Sequence, residues 1–187
     1  MTERVEMSAS NAVAHAAKLR IAEAAPAQYL TFLLGSELFA IGILRIKEII
    51  EYHSITEVPM MPAAVRGVIN LRGAVVPVLD LQARFGRPAS QVGKRSCIVI
   101  VEINAGGEDA GAHQTIGIMV DAVSEVLDIA AADIEPPPAF GASIRADFIL
   151  GMGKVKGKFV ILLNADHVLA VDEVNALTTV VEGNTAH

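Results

Sequence analysis

The sequence is poor in the residue types on which many sites and scaffolds depend. It has no tryptophan, a single cysteine and 4% aromatic residues in a chain of 187. Because Cys97 has no second cysteine to pair with, an internal disulfide is excluded, which fits a reducing compartment. The five histidines show neither an i, i+4 pair nor a spacing with Cys97 that is typical of zinc sites. We therefore expect no metal site.

Long apolar runs are also missing, although 52% of the residues are hydrophobic and the mean hydropathy is +0.47. The longest stretch without Asp, Glu, Lys or Arg covers 13 residues, from Ala24 to Ser36. A membrane-spanning helix needs about 20 apolar residues, so no membrane insertion is predicted. The first ten residues contain Glu3 and Glu6 and lack the apolar run of a secretory signal. These observations favour a cytoplasmic protein.

Positive charge is in the minority. There are 15 Lys and Arg residues against 21 Asp and Glu residues, which gives a net charge of −6. Because binding to nucleic-acid phosphates requires a clustered basic surface, this balance argues against a nucleic-acid partner. The local basic group Lys154, Lys156 and Lys158 is expected to be a solvent-exposed strand edge.

The chain does contain a succession of short runs that are rich in β-branched residues and separated by Gly, Pro or charged turns. They read QYLTFLL, ELFAIGI, GVINL, AVVPVLDL, CIVIVEI, TIGIMV, ILGMGKV and KFVILL. Helical periodicity appears only in ILRIKEII and in ADHVLAVDEVNAL. This pattern predicts a mainly all-β fold of barrels or a sandwich. Residues 1–27 and 178–187 are predicted to be a flexible N-terminal tail and a C-terminal tail.

The sequence also repeats itself. A shift of 84 positions places GVINLRGAVVPVLD over GMGKVKGKFVILLN, and a shift of 77 positions places FAIGILRIKEII over IGIMVDAVSEVL. The aligned pairs include Gly67 with Gly151, Arg72 with Lys156, Ile46 with Val123, Glu48 with Glu125 and Ile49 with Val126. The order of the blocks is the same in both halves. This predicts two related units, about 28–88 and 95–170, that pack as small barrels around a common apolar core with a binding groove between them.

No set of reactive side chains stands out. Neither Ser36 nor Ser143 completes the G-x-S-x-G elbow of a hydrolase. The glycines of GMGKVKG precede the strand-like run KFVILL, whereas a phosphate-binding loop must open a helix. The carboxylates of Asp121, Glu125 and Asp128 are expected to form a solvated acidic face. The sequence therefore predicts a binding module that is not an enzyme and carries no cofactor.

Two long segments resemble a known family. VRGVINLRGAVVPVLDLQARFG, from Val65 to Gly86, and the preceding FAIGILRIKEIIEYHSITEVPMMP are similar to the CheW family of chemotaxis coupling proteins, and the resemblance covers about residues 28–177. It implies two five-stranded SH3-like barrels packed around a shared hydrophobic core, with short helices. It also implies a non-catalytic adaptor that bridges chemoreceptors to the histidine kinase CheA and is recruited to membrane-bound receptor arrays through these partners.

The resemblance further implies two sets of contact residues. The hairpin tip of the receptor would lie in the groove between the barrels, against Ile46, Glu48, Cys97, Val123 and Val126. The family has an aliphatic residue where Cys97 stands. The regulatory domain of CheA would contact mainly the first barrel around Gly67, and Asn70 and Arg72 would take part in kinase binding or signalling.

Plainer roles stay open for these residues. The aliphatic contacts are equally compatible with the core, Glu48 with a surface charge, and the NLRG residues with a hairpin turn. A second functional hypothesis is a detached CheW-like regulatory domain of a larger kinase or receiver-containing coupling protein. The length of 187 residues leaves no room for an ATP-binding or receiver domain, which favours the adaptor.

Overall fold

The computed structural model describes residues 27–104, 113–137, 144 and 146–170. Within these residues the chain forms β1 (Ala27–Leu34), β2 (Glu37–Gly42), β3 (Ile46–Glu51), β4 (Val65–Leu71), β5 (Ala74–Asp80), β6 (Cys97–Asn104), β7 (His113–Val120), β8 (Ala122–Ile129), β9 (Ile134–Glu135), β10 (Ile149–Val155) and β11 (Lys158–Leu163). Two short helices, α1 (Leu81–Arg84) and α2 (Ala165–Val168), and three 3₁₀ turns, Ile43–Arg45, Ala131–Asp133 and Ala146–Phe148, complete them. The predicted tails lie outside the described residues except for Ala27, which begins β1.

The strands form two sheets. The five-stranded sheet has the order β3-β6-β7-β5-β4, and we call it the first barrel. The six-stranded sheet has the order β8-β1-β2-β11-β10-β9, and we call it the second barrel. The mainly β architecture of two small SH3-like barrels with short helices is therefore as predicted, with the two-residue strand β9 as an addition to the second barrel.

The two barrels do not follow the two halves of the sequence. Strands β1 and β2 belong to the second barrel, and β6 and β7 belong to the first. Each half of the chain thus gives two strands to the barrel of the other half. Two parallel strand pairs, β5 with β7 and β11 with β2, join strands from the two halves within one sheet. The predicted barrel ranges of about 28–88 and 95–170 therefore do not coincide with the sheets, because the repeat identifies equivalent strands but not the strands with which each one pairs.

The predicted internal repeat is visible in the backbone. The β4–β5 and β10–β11 hairpins have the same turn, with Arg72 and Gly73 at φ 52° and 87° and Lys156 and Gly157 at φ 51° and 77°. Two consecutive left-handed residues are typical of a two-residue hairpin turn that follows the twist of the strands. Both hairpins also carry a register shift at their first glycine, Gly67 and Gly151. Each barrel thus contains one copy of the same hairpin.

Buried side chains form three clusters, as expected from strands whose alternate residues point to opposite faces. The largest cluster lies between the sheets and contains Leu30, Phe32 and Phe39 from one and Val99, Val101 and Ile118 from the other. The first barrel has its own cluster around Ile98, Ile100 and Met119. The second barrel has one around Ala40, Val160 and Leu162. This arrangement is two barrels around a shared core.

One local prediction was wrong. The segment ILRIKEII has helical periodicity, but only Ile43–Arg45 form a 3₁₀ turn and Ile46–Glu51 are strand β3. Three isoleucines of this short segment, Ile46, Ile49 and Ile50, pair with residues of β6, and burial alternates along β3 with the period of a strand. In the second predicted helix, ADHVLAVDEVNAL, residues 165–168 are helical and those from 171 onward lie outside the described residues.

Candidate partner-binding surfaces

The outer strands β3 and β8 occupy equivalent places in the two barrels and carry most of the predicted receptor contacts. Ile46 on β3 and Val123 on β8 are half-buried and pack against the shared core. Val126, further along β8, is 47% exposed. Ile46 and Val123 therefore have a packing role and also an accessible surface, whereas Val126 contributes mainly surface.

Cys97 lies at the start of β6, opposite Glu51 of β3 and Val120 of β7. The residue is half-buried, and its thiol borders the shared core. Its Sγ donates a hydrogen bond to the carbonyl oxygen of Arg95 at 3.3 Å. The side chain thus occupies an aliphatic-type position at the junction of the two barrels.

Glu48 and Arg72, which belong to different predicted sets, are in direct contact. The Nη2 atom of Arg72 donates to Oε2 of Glu48 at 2.8 Å. The Glu48 side chain is 25% exposed and that of Arg72 is 76% exposed. The pair lies at a cavity of about 370 Å³ between β3, the β4–β5 hairpin and the start of β7. The structure therefore joins the predicted receptor and kinase surfaces through one ion pair.

Asn70 and Gly67 have structural tasks in the same hairpin. Oδ1 of Asn70 accepts a hydrogen bond from the backbone N–H of Gly73 at 2.9 Å, which fixes the turn that presents Arg72. Gly67 has φ 146°, and a Cβ at this position would collide with the carbonyl oxygen of Thr56, which pairs with the neighbouring Val68. The plainer interpretation accounts for both residues, and their effect on a partner would be exerted through the shape of the hairpin.

Two aspartates have structural roles that were not predicted from the sequence. Asp121 is not only part of a solvated acidic face, because its Oδ2 accepts the backbone N–H of Gly35 at 2.6 Å and so holds the β1–β2 turn. Glu125 and Asp128 are exposed, as expected. Asp80 was not among the predicted residues, yet its buried carboxylate accepts hydrogen bonds from Gln82 and Ser90. The signal that was available for it is an Asp directly before the α1 sequence, a typical N-cap position.

A polar connection between the barrels was also not predicted. Arg45, in the crossing from β2 to β3, forms a two-pronged ion pair with Asp166 of α2 at 2.9 and 2.7 Å. The same carboxylate accepts the backbone N–H of Asn104 at the end of β6. No sequence spacing predicts this contact, because Arg45 and Asp166 are 121 residues apart.

Within the described ranges, no cluster of three or more His, Cys, Asp or Glu side chains is arranged to hold a metal ion. The helices in that part of the chain are also too short and polar to cross a membrane.

The fold is of the all-β class, with two strand-exchanged SH3-like barrels around a shared apolar core. The particular family follows from comparison with known proteins. The family model described as "CheW-like domain" matches residues 28–173, and the chain belongs to the CheW family.

Named relatives agree with this assignment. The chain is 29% identical over 157 residues to the chemotaxis protein CheW of Klebsiella aerogenes, covering 84% of this chain and 90% of that protein. It is 32% identical over 146 residues to CheW of Rhizobium meliloti, covering 78% of this chain and 89% of that protein. The crystal structure of the scaffolding protein TtCheW from Thermoanaerobacter tengcongensis matches with a TM-score of 0.69 and 36% identity, over 80% of this chain and 92% of that one. The protein is a chemotaxis coupling adaptor, and none of the relatives described above points to the detached-domain alternative.

Proposed function

We propose that this adaptor binds the hairpin tip of a chemoreceptor on the face of β3, β6 and β8, and the regulatory domain of CheA on the β4–β5 hairpin of the first barrel. The receptor contacts are Ile46, Cys97, Val123 and Val126, with Glu48 at the border between the two surfaces. The kinase contacts centre on Arg72, positioned by Asn70 and Gly67. The adaptor would then act in the cytoplasm, recruited to membrane-bound receptor arrays by its partners.

The partly exposed aliphatic residues on the outer strands support the receptor surface. Ile46, Cys97 and Val123 rest on the shared core, so they offer apolar area on a rigid support. A helical hairpin recognised in this way needs a few apolar anchors and no cofactor. Val126 adds an aliphatic side chain that is 47% exposed on the same strand as Val123.

The single observation that supports the coupling role most directly is the ion pair between Glu48 and Arg72. Glu48 sits two residues from Ile46 on the same strand, and Arg72 projects from the hairpin turn with 76% of its side chain exposed. A partner that contacts the guanidinium of Arg72 competes with Glu48 or extends the pair into a network. Binding at one surface is thereby linked physically to the other.

The first prediction concerns Val126. Val126→Glu should weaken binding of a cytoplasmic chemoreceptor fragment by about tenfold or more, because a charge replaces an exposed anchor, and binding anchors are worth roughly 1 to 4 kcal/mol. Isothermal titration of the full chain measures the effect. Folding should change little, since the side chain is already largely in water.

Leu150→Glu is the matched control, because Leu150 is 56% exposed on β10, outside both proposed surfaces. It should leave receptor affinity unchanged, and both variants should bind the CheA regulatory domain as the wild type does. Arg72→Glu should show the opposite selectivity and weaken the kinase titration more than the receptor titration. If Val126→Glu and Leu150→Glu bind the receptor fragment equally well, the receptor surface is assigned wrongly.

A further inference from the structure

The two barrels carry equivalent grooves with different chemistry. On the first barrel the groove is the 370 Å³ cavity beside the ion pair of Glu48 and Arg72. On the second barrel the equivalent groove has a volume of about 640 Å³ and lies between the start of β2, β8 and the β10–β11 hairpin. We call it the second-barrel groove. Its apolar lining includes Leu33, Leu38, Leu127, Val155, Phe159 and Ile161.

The chemical difference arises at four positions along the hairpin. Where the first barrel has Asn70, Arg72, Ala74 and Val75, the second barrel has Lys154, Lys156, Lys158 and Phe159. Arg72 is neutralised by Glu48, but among the described residues none of the three lysines forms an ion pair. Phe159 is 53% exposed beside them. The first groove thus has an ion pair at its border, whereas the second is more apolar and is bordered by lysines that form no ion pair with any described residue.

These observations indicate what would bind there. Exposed apolar surface combined with the unneutralised ammonium groups of Lys156 and Lys158 complements a ligand with apolar anchors and carboxylates. The site is a groove with an apolar lining and lysines at its border, which matches the apolar and charged faces of an amphipathic helix.

We propose that the second-barrel groove is a docking site for a short acidic amphipathic helix of a partner protein, whose apolar face covers Phe159 and whose carboxylates pair with Lys156 and Lys158. The site shares β8 with the receptor surface but uses Glu125 and Leu127 of that strand instead of Val123 and Val126, and it lies on the other barrel from the kinase surface. It gives the adaptor a third point of attachment.

Two carboxylates also line the groove and bear on this proposal. Glu37 is already paired, since its Oε1 lies 3.1 Å from Nη2 of Arg87. Glu125 has its backbone fixed by the hydroxyl of Thr31, but its side chain is exposed at the groove and would repel an acidic ligand. Removing the charge of Glu125 should therefore strengthen binding, an effect that a purely structural role does not predict.

The second prediction tests the site with a defined probe. The probe is a fluorescein-labelled helical peptide with Leu on one face and Glu on the other, titrated into the full chain and followed by fluorescence anisotropy. Lys156→Glu/Lys158→Glu should weaken its binding by at least about tenfold, and Phe159→Ser should have a similar effect. Glu125→Gln should tighten it, and added salt should weaken it because the charges lie at an exposed rim.

The controls separate the effect of a charge change from the effect of its place in the molecule. Lys94→Glu/Arg95→Glu makes the same charge change in an exposed loop outside the groove and should leave the anisotropy titration unchanged. The same peptide with Lys in place of Glu should not bind. Equal binding of both peptides, or equal effects of the two double variants, would overturn the proposal. So would a concentration-dependent dimer, seen by sedimentation, that Phe159→Ser abolishes, because the groove would then be an interface between copies of this chain.

Discussion

Two glycines of the β4–β5 hairpin have left-handed backbones but different surroundings. Gly73, at φ 87°, has open space where a Cβ would be placed. Gly67, at φ 146°, has the carbonyl of Thr56 and a methyl group of Ile55 at that place. A side chain at Gly73 would therefore meet only backbone strain, whereas one at Gly67 would also push apart the bridge between Thr56 and Val68.

The third prediction compares these positions. Gly73→Ala should lower the free energy of unfolding by about 1 kcal/mol, the usual effect of a left-handed conformation on a non-glycine residue. Gly67→Ala should cost clearly more, about 2 to 4 kcal/mol, because a steric collision with backbone is added. Urea unfolding followed by circular dichroism measures both. Equal losses at the two positions would show that the contact with Thr56 is relieved without cost.

At the scale of single residues, the sequence predicted what a side chain does better than it predicted which side chains meet in the fold. Asn70 was expected to satisfy turn backbone groups, and its bond to the N–H of Gly73 confirms this. The contact of Glu48 with Arg72 was not predicted, because the residues are 24 positions apart and meet only when the hairpin packs beside β3. Which face of the molecule a partner uses depends on such tertiary contacts, so the site assignments remain predictions.

The two short helices begin at equivalent positions of the repeat but are capped differently. Asp80 precedes α1 and is fully buried, and its carboxylate accepts the N–H of Gln82 and both the N–H and the hydroxyl of Ser90. Arg66 lies 3.9 Å from the same group. Asn164 precedes α2, and its side chain makes no capping hydrogen bond. One carboxylate therefore organises α1 and the loop that follows it.

The fourth prediction uses this asymmetry. Asp80→Ala should lower the free energy of unfolding by about 2 to 4 kcal/mol, because buried donors lose their acceptor. Asn164→Ala, its repeat equivalent, should cost less than about 0.5 kcal/mol, within the range of substitutions that remove no specific contact. Denaturant titration of both variants provides the measurement. A loss at Asn164 as large as that at Asp80 would contradict the capping argument.

Strands and turns could be predicted where the residue pattern agrees with the pairing of neighbouring strands. The hairpins around NLRG and KVKG were identified from turn residues and alternating apolar positions, and both have the predicted strand–turn–strand form. ILRIKEII was misassigned as helical because its apolar spacing fits a helix and a strand equally at this length. Pairing with β6, which the local sequence does not encode, decides the outcome.

At the scale of the whole molecule, the exchange of strands makes the barrels depend on each other. The first barrel needs β6 and β7 from the second half of the sequence, and the second barrel needs β1 and β2 from the first half. The Arg45–Asp166 pair and a row of phenylalanines in the shared core, Phe32, Phe39, Phe85 and Phe148, add contacts across the junction. Neither barrel can be removed as a continuous piece of chain.

The fifth prediction follows from this dependence. Ile100→Ala in the first-barrel cluster and Leu162→Ala in the second-barrel cluster should each lower the free energy of unfolding by about 2 to 5 kcal/mol, since both side chains are fully buried. Each should shift the midpoint of one common transition and should not create a second one, because loss of either sheet removes strands from both halves of the chain. Native-state hydrogen exchange under increasing urea reports on the two barrels separately, through amides of β6 and of β11. Amides of both strands should converge on the same opening free energy in the wild type and in each variant. If Leu162→Ala lowers only the value for β11 and leaves that for β6 unchanged, the barrels unfold independently and the exchanged strands do not couple them.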